Sequence, residues 1–152
     1  MNSDLYIKYL SKELTFLEQS LPKEESNLIK KYFKDAGLFN VLKVHHYKYW
    51  TRQIFDLIDN FAIKDAELFD LGCGVGVFTI YALIKGINVT AIDIDPISTN
   101  ILKKRYELLK LNFKNIGELS VDTLDVEDYP FNKKFDCGIS IFSLLMMPNP
   151  KE

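Results

Sequence analysis

The 152-residue chain predicts an α/β fold, a doubly wound and mostly parallel sheet with an N-terminal helical extension. Three observations predict it. Leu68 to Val77 reads Leu-Phe-Asp-Leu-Gly-Cys-Gly-Val-Gly-Val, an apolar strand that runs directly into glycines at 72, 74 and 76. A second apolar strand ends on Asp93, 17 residues after the last of those glycines. From residue 63 onward strand-like and helix-like patterns alternate, and parallel strands joined by helices of this length form right-handed crossovers.

The elements follow in order. Leu5, Tyr6, Tyr9, Leu10, Leu14, Leu17 and Leu21 recur at helical spacing over 4–21. Pro22 breaks that helix and can open the next, which carries Leu28, Ile29, Tyr32, Phe33 and Ala36 on one face and Gly37 as its stop. A connection from Val41 to His46 leads to a third helix with the stripe Trp50, Ile54, Leu57, Ile58 and Phe61. Residues 1–62 thus form a helical cap or extension, and residues 63–152 the α/β core. Within the core, strands are expected at 66–71, 88–92, 118–124 and 135–141. One helix is expected over 74–85, stopped at Gly86, and another from Pro96 to about Leu111. Asp95-Pro96 supplies an N-cap followed by proline at the first helical position. A polar loop, Asp125 to Lys133, precedes the fourth strand. With strand order 3-2-1-4 that last strand, apolar on both faces, would be an uncovered edge. The expectation is a core truncated after its fourth strand, or a homodimer in which a second copy covers the edge.

Composition narrows the class. Nineteen Lys and Arg against 21 Asp and Glu give a net charge of −2, with the lysines scattered, so a long-range pull on nucleic acid is not expected. The apolar runs are too short to span a bilayer, and an N-terminus carrying Asp4 and Glu13 does not resemble a signal peptide. Two cysteines, Cys73 and Cys137, provide neither a disulfide framework nor metal-ligand spacing. A cytoplasmic protein without metal or membrane association is expected.

The chemistry resides in the glycine loop and its acids. Asp70 and Asp93 stand at the carboxyl ends of two strands, where open α/β sheets bind ligands. Such a pair suits a ligand with a positively charged end and a ribose. The spacing is G-x-G-x-G, with Val77 where a dinucleotide fingerprint needs its third glycine, which opposes a nicotinamide or flavin oxidoreductase.

From about Trp50 to Met147 the chain resembles the class I S-adenosylmethionine-dependent methyltransferases. Phe69-Asp-Leu-Gly-Cys-Gly-Val-Gly is similar to the family's first motif, and the resemblance implies that Asp70, Gly72, Cys73, Gly74 and Gly76 hold the methionine end of the cofactor. Ala91-Ile-Asp-Ile-Asp is similar to the second, in which Asp93 would take both ribose hydroxyls and Ile94 would pack on adenine. Asp125-Val-Glu-Asp-Tyr-Pro-Phe resembles the loop whose acid, here Asp125, accepts the adenine amino group, with the Val126 backbone beside the ring. Phe135-Asp-Cys-Gly-Ile-Ser is like the fourth strand, ending at Ser140 where cofactor and acceptor sides meet. The resemblance implies S-adenosylmethionine as donor and S-adenosylhomocysteine as product. It lacks the family's fifth helix and three further strands, so the acceptor half is incomplete.

Catalytic candidates are few. His45 or His46 could serve as a general base, since imidazole titrates near neutrality, and Tyr47 could line the acceptor pocket. Trp50 belongs to an apolar stripe and reads as core, Asp95 as a helix cap, and the Cys73 thiol as a bystander to its own backbone. No Asn/Asp-Pro-Pro-Tyr follows the fourth strand, which disfavours methylation of a base amino group. The expected activity is methyl transfer to a small-molecule or otherwise undetermined acceptor; the alternative is a non-catalytic cofactor-binding or interaction module.

Overall fold

The computed structural model describes residues 3–35, 49–61, 63 and 65–141. Its elements run α1 (Ser3–Ser20), α2 (Lys23–Asp35), α3 (Tyr49–Phe61), β1 (Glu67–Leu71), α4 (Val77–Ile84), β2 (Asn88–Asp93), α5 (Pro96–Asn112), β3 (Leu119–Thr123), a single 3-10 turn (Val126–Asp128) and β4 (Cys137–Ser140). The four strands pair in parallel in the order β3-β2-β1-β4, as the crossover argument requires.

Alternation along the strands divides the sheet into two faces. Leu68, Val89 and Ala91 belong to one hydrophobic cluster with Val77, Ile80 and Leu83 of α4 and Ile101, Leu102 and Leu109 of α5. That cluster continues through Tyr6, Leu10, Leu14 and Leu17 of α1, Ile29 and Phe33 of α2, and Phe55 and Ile58 of α3. Phe69 turns to the opposite face. There the connection from β3 to β4 supplies Tyr129, Phe131 and Phe135, whose ring centroids lie 5.1, 5.5 and 5.0 Å from that of Phe69. On this second face the three rings of that connection cover Phe69, which is 8% exposed.

Two local expectations are corrected. The buried side of α3 is Thr51, Phe55 and Ile58, while Leu57 and Phe61 are 52% and 46% exposed. The reason is aromatic packing: Phe55 meets Tyr6, Phe78 and Tyr81 at centroid distances of 5.6, 5.7 and 4.3 Å, and these ring contacts turn Phe55 inward. The helix expected from Gly74 begins at Val77, because Gly74 and Gly76 adopt φ of 53° and 77°, outside helical backbone. The fourth strand stands at the sheet edge as expected, half-buried with Gly138 exposed, since among the described residues it pairs with β1 alone. His45, His46, Tyr47, Gly37 and the Trp50 side chain lie outside the described residues.

Candidate functional site

The glycine loop is tied on both sides by its own polypeptide. The amides of Gly72 and Cys73 donate to the Ile92 carbonyl at 2.9 and 3.0 Å, and that of Gly76 donates to Cys73 at 2.9 Å. The Gly74 amide donates to Asp93 Oδ2 at 2.7 Å. These four N–H groups are bonded within the fold, which fixes the course of the loop.

Asp93 closes β2 as expected. Its second oxygen, Oδ1, accepts from the Asp95 amide at 2.9 Å, which leaves each oxygen a further lone pair for a hydroxyl. Ile94, beside it, is 70% exposed and presents an apolar surface. Asp95 caps α5, accepting from the amides of Ile97 and Ser98 at 3.1 and 3.2 Å and from the Ser98 hydroxyl at 2.6 Å. Burial of Asp95 opposes ionisation, but these hydrogen bonds outweigh it and hold its pKa below the ordinary value.

Asp70 lies beneath the loop. It is buried and its Oδ2 accepts from Thr79 Oγ1 of α4 at 2.5 Å. Burial raises its pKa to about 7 against the help of Thr79, with the negative charge of Asp93 adding to the rise. Cys73 is buried, and desolvation followed by repulsion from Asp70 and Asp93 pushes its thiol pKa up, so it is not poised as a nucleophile.

Asp125 caps the 3-10 turn, accepting from the Glu127 amide at 3.1 Å, and it is half-buried with Val126 beside it. Ser140 ends β4 opposite Leu71 of β1. The parallel register therefore brings the ends of β1, β2 and β4, and the turn after β3, to one edge of the sheet.

Four residues that sequence reasoning did not single out belong to this edge. Arg105 of α5 is fully buried; its Nε and Nη2 donate to the two carboxylate oxygens of Glu13 at 2.8 and 3.0 Å, and its Nη1 to the Val75 carbonyl at 2.6 Å. Burial alone would lower its pKa, yet the Glu13 carboxylate outweighs that and keeps it raised. Tyr6 of α1 donates to the Val77 carbonyl at 2.7 Å. The rear of the loop is thus held through the N-terminal extension. Tyr32 of α2 lies over Gly74, where its ring fills the space a Cβ would need. The legible signal was a charge on each of two apolar stripes, Glu13 beside Leu10, Leu14 and Leu17, and Arg105 beside Ile101, Leu102 and Leu109.

Comparison with known proteins agrees with this geometry. The family model described as a methyltransferase domain matches residues 68–152, more than half the chain. A ribosomal protein L11 methyltransferase of Clostridium botulinum is 30% identical over 112 residues, which cover 73% of this chain and 33% of that protein. The chain spans about a third of the length of that curated relative. Among solved structures, a TehB-like methyltransferase of Corynebacterium glutamicum shares the fold with a TM-score of 0.53 at 22% identity, covering 80% of this chain and 56% of the other. A methyltransferase of Geobacter sulfurreducens, solved with S-adenosylhomocysteine, shares it with a TM-score of 0.52 at 20% identity, covering 62% and 37%. Strand order, glycine loop and matched family model together make this chain a member of the methyltransferase-domain family, of the class I S-adenosylmethionine-dependent type that its motifs resemble.

Proposed function

We propose that the crevice formed by the glycine loop, Asp93 and Ile94 binds S-adenosylmethionine and that the protein transfers its methyl group to a small-molecule acceptor. The observation that carries the reading is Asp93 at the end of β2, whose carboxylate clasps the Gly74 amide while exposed Ile94 stands beside it. A carboxylate beside an exposed apolar side chain suits a ribose and the base it carries. S-adenosylmethionine supplies a methyl already activated on a sulfonium. Asp93 would accept its ribose hydroxyls in charge-assisted hydrogen bonds, Ile94 would pack on the adenine, and Asp125 with Val126 would border the ring. Asp70 would balance positive charge from below, and Ser140 would border the cofactor at the end of β4. The protein's task is then alignment and exclusion of water.

A net charge of −2 supports a small acceptor over nucleic acid, and the segment shared with the ribosomal protein L11 methyltransferase carries the cofactor motifs, so that relative's acceptor is not transferred here. Among the described residues no helix is long and apolar enough to cross a membrane; with the free thiols of Cys73 and Cys137 this supports a cytoplasmic setting. A second reading rests on β4, which pairs with β1 alone among the described residues: a cofactor-binding module that associates, as a homodimer, through that edge.

Titration calorimetry with S-adenosylhomocysteine and with NAD tests the first step. Binding of the former near micromolar affinity and none of the latter is expected; the reverse overturns the reading. Labelled-methyl transfer in a metabolite pool then separates an enzyme from a binding module, and light scattering shows whether the chain is dimeric.

A further inference from the structure

We propose that α2 is the cover of this crevice and that Tyr32 is a ligand-contacting residue, its ring closing on the adenosyl ligand beside Gly74. The inference deepens the cofactor reading above and rests on it. Three observations carry it. The first is position: a Cβ built on Gly74 would strike the Tyr32 ring, with Cζ at 2.8 Å and Oη at 3.0 Å. The absence of a side chain at Gly74 is therefore used by Tyr32, and the ring rests on the very segment whose amide is held by Asp93.

The second is what surrounds its polar end. The Tyr32 hydroxyl lies near Ser98 and within the fields of Asp93, Asp95 and Cys73. Those four residues come from the loop, the end of β2 and the first turn of α5, the three walls of the crevice. Burial, then the charges of Asp93, Asp95 and Cys73, raise the phenol pKa above its ordinary value, so the ring remains neutral.

The third is how α2 is held. Ile29 and Phe33 are its buried residues in the shared core, with the Arg105 guanidinium 5.0 Å from the Phe33 ring centroid. Lys104 of α5 pairs with Glu25 at 2.8 Å. Tyr32 precedes Phe33 and is only half-buried, so its ring sits at the boundary between core and crevice. An aromatic face there offers sequence-tolerant stacking for a nucleoside and removes water from the reacting groups. The N-terminal extension would then form one wall of the cofactor site.

Hydrogen exchange on the full chain, with and without saturating S-adenosylhomocysteine, tests this. Slowed exchange both in the glycine loop, residues 72–77, and in α2, residues 29–35, supports the proposal. Protection of the loop without α2 overturns it while leaving the cofactor reading intact, and protection of neither overturns both. In calorimetry, Tyr32→Ala should weaken S-adenosylhomocysteine about tenfold or more, and Tyr32→Phe should stay within about threefold, because the ring makes the contact. Unchanged or tighter binding by a folded Tyr32→Ala overturns the assignment. Should that variant fail to fold, the exchange pattern of the unmodified chain decides.

Discussion

Asp93 and Gly74, nineteen residues apart, are joined by a 2.7 Å hydrogen bond from the glycine amide to the carboxylate. The end of β2 and the turn after β1 are thereby one unit, and the proposed ribose acceptor is also the clasp of the loop. Asp93→Ala removes both. Calorimetry should show S-adenosylhomocysteine weakened by about 1.5–3 kcal/mol, the scale of a hydrogen bond to a charged group. Asp93→Asn keeps one acceptor oxygen and should fall between. An alanine variant that binds as well as the parent would remove Asp93 from the site.

Asp70 ties pH to both stability and binding. An unfolded chain releases this proton near 3.8, whereas the folded chain holds it to about 7. The folded state therefore binds more protons between those values, and the contribution of this group to stability declines as pH rises through them. Urea titrations at pH 4.5 and 7.5 should show Asp70→Asn lacking that decline. Binding runs the other way: a cationic ligand favours the carboxylate, so its uptake below pH 7 should expel a proton, and affinity for S-adenosylmethionine should rise from pH 6 to 8. Calorimetry in buffers of different ionisation enthalpy reads that proton; equal heats in parent and Asp70→Asn would detach Asp70 from the ligand.

The Glu13–Arg105 pair is fully buried and also holds the Val75 carbonyl. Glu13→Ala leaves a charge without its counterion in the core and should cost about 3–5 kcal/mol in chemical denaturation. A double variant, Glu13→Leu with Arg105→Met, should recover much of that stability, since an apolar replacement avoids the desolvation of two ions. It should still bind S-adenosylhomocysteine more weakly, because the loop carbonyl has lost its donor. Full recovery of binding would confine the pair to a role in stability.

Gly76 precedes α4 with φ of 77°, and a Cβ there would overlap the Leu102 side chain. Left-handed backbone costs an L-residue roughly 1–2 kcal/mol, and displacing a packed leucine adds to it. Gly76→Ala should lower stability by about 2 kcal/mol or more in urea, and the thermal midpoint should fall with it. A variant as stable as the parent would mean that the loop can re-form around a side chain.

Much of this protein can be argued from local pattern. Pro22 separates α1 from α2, Asp95-Pro96 opens α5, and glycines at alternate positions end β1. Alternation of strand and helix then leads to a parallel sheet with its acids at one edge. These inferences succeed because capping, proline geometry and hydrophobic period act within a few residues and depend little on distant context.

Other features depend on which surfaces meet. Whether Phe55 or Leu57 faces inward on α3 is settled by the rings of Tyr6, Phe78 and Tyr81, which come from two other helices. Arg105 and Glu13 are 92 residues apart, and each alone looks like a misplaced charge until α1 and α5 pack and place them 2.8 Å apart. Tyr32 has the spacing of a core residue, yet packing stands it over Gly74. The chain's order of residues thus dictated the sheet, the glycine turn and the acids that flank it, whereas the side chains that brace and cover that turn were chosen by long-range packing, whose energy is shared among segments and has no local signature.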